Sequence, residues 1–390
     1  MMKPNVSIIG AGVGGLALGI ALKKLDIHAE IFETWPPERV EESSFGMNSS
    51  GVYALKELGV LKKIQNASYS ADYLKAFTFD PIEVGRLNLF QSEKYEERAI
   101  FIKRADLIEI LTEEATNLNV PIHYNKQFLA YEETDDTVTA LFKDGTTHKS
   151  DLLIGADGVH SPVRKQMYPN HRLKFEHSFG LYGVISSKDI PESILSQMEN
   201  TELVYFGQGT NIFLTYSNRQ SELDVNWQST GYVERKLPVN AFELRDQEDL
   251  KQDFIQNYNI QGDLAEFVTR SHGIIPKQVF TVDGLISWSK NRVAVIGDAA
   301  HGINPNTGYG SSIALEDAVY LASLLNKHGH EDAFYYYETD RKDRVDAIMA
   351  TLESFNVSYG LEMFDFRNGF DIGMLGESQF DPNYQVKLNE

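Results

Sequence analysis

An α/β fold with a parallel sheet, a β-rich insertion and a long C-terminal helix is what this sequence predicts. Three observations carry the prediction. The first is a short apolar run, Val6, Ile8 and Ile9, that ends in clustered glycines and leads through a helical pattern to a second apolar run. The second is the return of this strand-then-loop rhythm at Asp151–Gly155 and at Arg292–Gly297. The third is a change of pattern between them, where residues 73–92 and about 172–275 alternate instead.

An apolar run with no polar alternation reads as a strand buried on both faces of a parallel sheet, and Val6–Ile9 fits that description. Leu16, Ile20, Leu22 and Leu25 then recur at helical spacing, and Ala29, Ile31 and Phe32 read as the next strand. Leu107, Ile110, Leu111 and Leu118 line one side of a helix over 104–118. Helices are also expected at 312–325 and, long and charged, at 332–356. In the odd stretches Leu223, Val225 and Trp227 alternate with Asp224 and Asn226, the period of a half-buried strand. These features divide the chain into a discontinuous, Rossmann-like first domain (1–72, 93–171 and 276–330), a β-rich insertion (73–92 and 172–275) and a C-terminal helical segment (331–390). The polar end, from about 377, is expected to fray.

Composition narrows the function. The 390-residue chain carries a formal charge of −20, opposite to what a nucleic-acid or anionic membrane surface attracts. It has no cysteine, which excludes disulfides, thiolate metal sites, cysteine nucleophiles and redox-active dithiols. No spaced cluster suggests a metal. No apolar run approaches the roughly 18 residues of a membrane span. Only Lys3 precedes the first apolar run, so no signal peptide is expected and a cytoplasmic location is.

Gly10-Ala11-Gly12-Val13-Gly14-Gly15 fits a dinucleotide-binding turn. Gly10 permits the tight turn, Gly12 lets the backbone approach a pyrophosphate, and Gly15 lets helix and sheet pack closely. The helix N-terminus adds unpaired N–H groups and a positive dipole end. Glu33 follows at the end of the second strand, near the spacing of about 20 residues at which a carboxylate accepts from ribose hydroxyls. Such a carboxylate repels a 2′-phosphate, but the turn by itself does not separate NAD from FAD.

Two further motifs narrow the choice. Gly297-Asp298-Ala299-Ala300-His301, then Pro305, Gly308 and Gly310, leads from a strand through a glycine-rich loop into a helix. Asp298 can accept from a polyol chain, and the N–H groups of residues 308–312 can face a polar ring edge. Gly155-Ala156-Asp157-Gly158, continuing to Ser161 and Arg164, is a turn in its own right. In this order and spacing the three motifs resemble the single-component FAD-dependent aromatic hydroxylases, the para-hydroxybenzoate hydroxylase-like flavoprotein monooxygenases. The resemblance runs from about Val6 to Val345, with GDAAHGINPNTGYGSSIALEDAVYLA and LLIGADGVHSPVRK its most specific parts.

The resemblance implies a Rossmann-like FAD-binding domain with an inserted β-sheet substrate domain. It implies that NADH or NADPH reduces FAD and that dioxygen then forms a flavin C4a-hydroperoxide, which hydroxylates an aromatic or polycyclic small molecule. Gly10, Gly12, Val13, Gly14 and Gly15 would cradle the pyrophosphate. Glu33, Thr34 and Arg39 would lie at the adenosine ribose, Phe128 at the adenine, and Arg104 and Asp298 along the rest of the cofactor. Asp157 would serve FAD and nicotinamide, and Gly308, Tyr309, Gly310, Ser311 and Ser312 would lie against the flavin ring. The chain departs from the family at Tyr309 to Ser312, where Gly-Gln-Gly-x-Asn is usual, and at Ser49-Ser50, where Pro-Asn is usual.

Substrate in this family sits between the inserted sheet and the flavin. That placement makes Tyr182, Tyr205, Phe213, Tyr216, Asn226, Trp227 and Pro305 the candidate lining residues, although an aromatic on an alternating strand is ordinarily core. No general base stands out. His301 and Tyr216 are the candidates, and a structural histidine in a tight loop is the competing reading of His301. Oxygenative inactivation of an antibiotic such as a tetracycline, epoxidation, and a non-catalytic flavin-binding module stay open as alternatives. Halogenation is disfavoured, because Trp35, Trp227 and Trp288 are isolated. A monomer and a homodimer are equally compatible with the sequence.

Overall fold

The computed structural model describes residues 3–38, 43–88, 99–207, 209–216, 224–237, 245–305, 308–354 and 387–388. Arg39, Leu223 and most of the tail beyond 377 lie outside the described residues. In chain order the elements are β1 (Val6–Ile9), α1 (Val13–Lys24), β2 (Ala29–Phe32), β3 (Ser44–Met47), α2 (Ser49–Leu58), α3 (Leu61–Ala67), β4 (Tyr73–Thr78), β5 (Glu83–Asn88), β6 (Ile100–Lys103), α4 (Arg104–Asn117), β7 (Ile122–His123), β8 (Phe128–Glu133), β9 (Val138–Phe142), β10 (Thr147–Ser150), β11 (Leu152–Gly155) and α5 (Pro162–Met167). They continue with β12 (Lys174–Ser186), α6 (Glu192–Leu195), β13 (Thr201–Gly207), β14 (Thr210–Tyr216), β15 (Asp224–Tyr232), α7 (Gln247–Asn257), α8 (Gly262–Arg270), β16 (His272–Thr281), β17 (Ser289–Lys290), β18 (Val293–Val295), α9 (Asp298–His301), α10 (Gly310–Lys327) and α11 (His330–Ser354). Among the described residues no helix is long and apolar enough to cross a membrane.

The first sheet has the order β17-β18-β11-β1-β2-β7. Its five inner and far strands run parallel, and β17 pairs antiparallel at one edge. All four residues of β1 and of β11 are buried, as continuous apolar runs covered by helices should be. Helix α1 leaves the glycine turn and packs directly on α10. Gly15 makes the first turn of α1 feasible, since a Cβ there would stand 1.9 Å from the Gly10 carbonyl oxygen.

The second large sheet has the order β16-β12-β15-β14-β13-β4-β5. Strands β4 and β5 come from residues 73–88 and the rest from 174–281, and the parallel β13–β4 pair joins the two stretches. One face of this sheet buries Leu181, Ile185, Leu203, Ile212, Leu214 and Val225 against Leu250, Phe254, Leu264 and Phe267. Those last four belong to α7 and α8, so a stretch read as β-rich contains two amphipathic helices. Their signals are local: Asp246 caps the first by accepting from Glu248 N–H, and Leu264, Phe267 and Val268 recur at helical spacing in the second.

A buried charge cluster ties α10 to α11. Arg341 is fully buried, with Nε 2.8 Å from Asp317 and Nη1 2.7 Å from Glu316. Arg344 meets Glu316 through two nitrogens, at 2.6 and 2.8 Å. Asp317 also accepts from Gly297 N–H, His301 and the Tyr337 hydroxyl. Removing one partner strands the others without solvent, which costs about 3–5 kcal/mol for a buried pair. Arg341→Met is therefore expected to lower stability by that amount. A urea midpoint unchanged from the parent would show that the cluster bears no such weight.

Candidate active site

Four parallel strands deliver their loops to one edge of the first sheet. The chain goes from β1 to β2 on one side and comes back to β11 and β18 on the other, so β1 marks the switch point where a crevice opens. Hydrogen bonds continue the ladder just past the strands: Gly10 N to Phe32 O at 2.9 Å, Ala156 N to Ile9 O at 2.8 Å, and Ile296 N to Gly155 O at 2.9 Å. The glycine turn is thereby flanked by Glu33 on one side and by Asp157 and Asp298 on the other.

Gly10 has φ +106°, and a Cβ there would come 2.5 Å from Ala156 O. A Cβ on Gly12 would meet nothing within 4 Å, so this backbone faces open space at the start of α1. That combination, a glycine demanded by backbone crowding and another facing a void at a helix N-terminus, fits a bound pyrophosphate. Glu33 accepts from Ala11 N at 2.6 Å and from Trp35 N at 2.9 Å, which locks its carboxylate against the turn. Thr34 follows it, half-buried, and Phe128 is buried at the start of β8.

Asp298 opens the short helix α9 and keeps accessible surface, yet burial still pushes its carboxyl above the usual range. Its carboxylate borders the recess at the start of α10, where a Cβ on Gly310 would lie 3.8 Å from it. The charges of His301, Arg104 and Arg164 oppose that shift. Half-buried Arg104 begins α4, and its N–H donates to Ser43 O at 2.7 Å.

The N-termini of α2 and α10 meet beside this recess. Asn48 caps α2, and its own N–H donates to Ser312 Oγ at 3.2 Å. A Cβ on Gly51 would lie 2.6 Å from the same oxygen. Gly308, Tyr309, Gly310 and Ser311 all retain exposure, whereas Ser312 is fully buried. Burial pushes the Tyr309 phenol up to about 12, so it stays uncharged at physiological pH. Pro305 is exposed in the preceding loop.

Asp157 accepts from Val163 N at 3.0 Å through one oxygen, and its other oxygen is buried without a hydrogen bond. Burial dominates and raises its carboxyl to about 6, against the opposing Val163 bond and the Arg164 charge. Buried Arg164 donates to Ala299 O at 2.8 Å and joins this loop to the Asp298 loop.

The candidate lining residues separate by strand parity. Tyr182, Phe213 and Asn226 point to the face turned toward the nucleotide domain, where the Phe213 ring meets Phe101 at 6.0 Å and Asp224 pairs with Lys103 at 3.6 Å. Tyr205, Tyr216 and Trp227 point the other way, into the second core. Trp227 is 2% exposed and donates to Ser271 Oγ, and its ring packs by Phe254 and Phe267. Alternation every second residue places them there. This corrects the expectation for those three and removes Tyr216 as a base. His301 is likewise turned inward: it is buried, 2.6 Å from Asp317 and against Trp288. Asn48 was missed in the sequence, although Asn-Ser-Ser-Gly ahead of Val52, Leu55 and Leu58 is a cap signal.

A parallel sheet with a glycine turn, two acidic loops at its switch point and a second sheet alongside defines a dinucleotide-binding flavoprotein class. The profile of the family described as FAD binding domain matches residues 3–351, and the chain belongs to that family. It is 30% identical over 349 residues to the putative FAD-dependent monooxygenase YetM of Bacillus subtilis, covering 87% of this chain and 89% of that one. It is 23% identical to 6-hydroxynicotinate 3-monooxygenase of Pseudomonas fluorescens, with 89% of each chain covered. Its fold superposes on Klebsiella pneumoniae HpxO complexed with FAD and uric acid with a TM-score of 0.79, at 22% identity over 92% of this chain and 90% of that one. The protein is an FAD-dependent monooxygenase.

Two variants test the recess. Asp298→Ala is expected to weaken FAD retention about tenfold with little change in the unfolding midpoint, the loss of one charge-assisted contact. Asp317→Ala should lose both, since Asp317 holds the loop itself. Equal FAD titrations for Asp298→Ala and the parent would dismiss the first assignment.

A pH dependence follows from Asp157. A carboxyl raised from near 3.8 to about 6 favours the fold in its protonated form. Its contribution is full below about 4 and is lost as pH rises through about 6. Asp157→Asn should flatten the stability of the FAD-free protein over that window in urea titrations at stepped pH.

Proposed function

We propose that this chain uses NADH or NADPH to reduce bound FAD and inserts one oxygen atom of dioxygen into an aromatic or polycyclic small molecule. The observation that carries the reading is the gathering of the glycine turn, Glu33, Asp157, Asp298 and two helix N-termini at one sheet edge, beside the face that bears Tyr182 and Phe213. Relatives whose names specify a hydroxynicotinate monooxygenase and a uric acid complex support a small ring as substrate.

In this reading, backbone N–H groups of Gly10 to Gly15 and the first turn of α1 hold the pyrophosphate. Glu33 offers its remaining lone pairs to the adenosine ribose, with Thr34 beside it, and the backbone at Phe128 meets the adenine. Arg104 and Asp298 hold the polyol portion, and the N-terminus of α10 from Gly308 to Ser312 lies against the ring. Bound FAD supplies a two-electron relay from the nicotinamide to dioxygen. One oxygen atom enters the substrate, and the other leaves as water with the electron pair of the hydride. The chain's own part is to position substrate against the half-buried Tyr182 and Phe213 and to keep water from the reacting atoms.

Purified protein is expected to be yellow and to release FAD on denaturation. At least one ligand in a screen of aromatic and antibiotic compounds should stimulate NADH or NADPH oxidation under air and yield a product heavier by one oxygen atom. Colourless protein that FAD does not reconstitute would overturn the site assignment. Holoprotein that neither nicotinamide reduces, with any ligand, would overturn the electron donor.

A further inference from the structure

The face of the seven-stranded sheet turned to the nucleotide domain carries polar groups that no part of the cofactor site uses. On β15 the residues of this face include Asn226 and Gln228, because Trp227 between them belongs to the opposite core. Gln228 stands directly across from Phe213 on β14 and from Tyr182 on β12. All three are half-buried, so the amide lies between two aromatic rings on an accessible floor. Its side chain makes no hydrogen bond or ion pair among the described residues. Asn226, two residues along, is 6% exposed, and its Nδ2 is buried with no hydrogen-bond partner in the structure. A buried donor left unmade costs about 1–3 kcal/mol, so a ligand that accepts from it is favoured.

The charge of this floor narrows the ligand. Beside Asn226, Thr215 donates to buried Glu202 at 2.9 Å. Burial pushes the Glu202 carboxyl well above its usual range, against the Thr215 bond, which favours its neutral form. On the same face Lys103 is paired with Asp224, and Lys277 lies over the Tyr182 ring at 4.8 Å. Among the described residues, Tyr182, Asn211, Thr215, Asn226, Gln228 and Thr230 give this face hydroxyls and carboxamides, and the Glu202 carboxyl is held toward its neutral form. Apart from Lys277 over Tyr182, these groups carry no charge to compensate an anionic substituent, and they offer paired donors and acceptors instead.

We propose that Gln228, with Asn226 beside it, determines substrate specificity by binding a neutral planar ring through a lactam edge, an N–H next to a C=O. A primary carboxamide presents one donor and one acceptor in a plane, the complement of that edge, and the flanking rings suit a flat heteroaromatic. A site built to hydrogen-bond a group discriminates strongly against the analogue that lacks it, because its own polar atoms are then left unpaired.

The assignment rests on the flavin monooxygenase reading of the cleft, and the test separates the two. Holoprotein is titrated with 2-pyridone, phenol and benzoate, and binding is followed by the perturbation of flavin absorbance. The parent is expected to bind 2-pyridone about tenfold or more tightly than phenol or benzoate. In Gln228→Met, which keeps length and loses the amide, 2-pyridone affinity should fall by about the same factor while phenol affinity and FAD content hold. Parent protein that prefers benzoate or phenol, or a Gln228→Met variant that binds 2-pyridone as the parent does, overturns the lactam assignment and leaves the flavin reading standing. Parent protein without flavin fails the flavin reading itself and takes the assignment with it.

Discussion

The carboxylate of Asp317 holds the second loop of the cleft to the body of the protein. It accepts from the Gly297 N–H at 2.9 Å, from His301 at 2.6 Å, from Tyr337 at 3.2 Å and from Arg341 at 2.8 Å. Burial alone would raise such a group, but the charges of His301 and Arg341 outweigh it and keep the carboxyl far below the usual range. A group charged and fully buried has no solvent alternative, so its four donors are committed in direction as well as number. The loop that presents Asp298 inherits that rigidity, and so does the beginning of α10. Asp317 itself sits on α10, and Arg341 on α11 braces it from behind.

Rigid presentation matters because several loops of the cleft are glycine backbone. A Cβ on Gly12 or Gly308 would meet nothing within 4 Å, and a displaced loop would redirect that open backbone. Arg164 extends the same bracing to the neighbouring loop by donating to Ala299 O, and Glu33 fixes the glycine turn by accepting from Ala11. The acidic residues of the motifs therefore divide. Asp317 and Glu33 spend hydrogen bonds on the protein, and Asp298 keeps its surface in the recess. Asp157 stands between, with one oxygen accepting from Val163 in the first turn of α5 and the other unpartnered.

The large sheet works differently, by parity. One face is an apolar core under α7 and α8, and the other combines aromatic and amide side chains opposite Phe101 and Lys103. Adjacent residues on one strand thus serve unrelated ends: Trp227 seals the core while Asn226 and Gln228 stand over the cleft side. The Lys103–Asp224 pair and the Phe101–Phe213 contact join the sheet to the strand that feeds α4, whose first residue is Arg104.

Strands at Val6–Ile9, Ala29–Phe32 and Leu152–Gly155, the glycine turn and the two acidic loops were all legible in the sequence, because each is a local pattern: an unbroken apolar run, a glycine where no Cβ fits, an acid at a strand end. The helices α7 and α8 were legible in principle, through a cap and an i, i+3, i+4 spacing that the surrounding alternation obscured. Sidedness was not. Whether Tyr205, Tyr216 and Trp227 or Tyr182, Phe213 and Gln228 face the cleft depends on which face of the sheet the helices cover, and alternation is symmetric between the two faces. The same holds for His301, whose neighbour in sequence is the cleft and whose neighbour in space is Asp317, sixteen residues on. Local chemistry determined that this protein binds a dinucleotide at a strand-end loop. Only packing between distant segments decided which polar groups were used up holding that loop and which face of the large sheet its amides occupy.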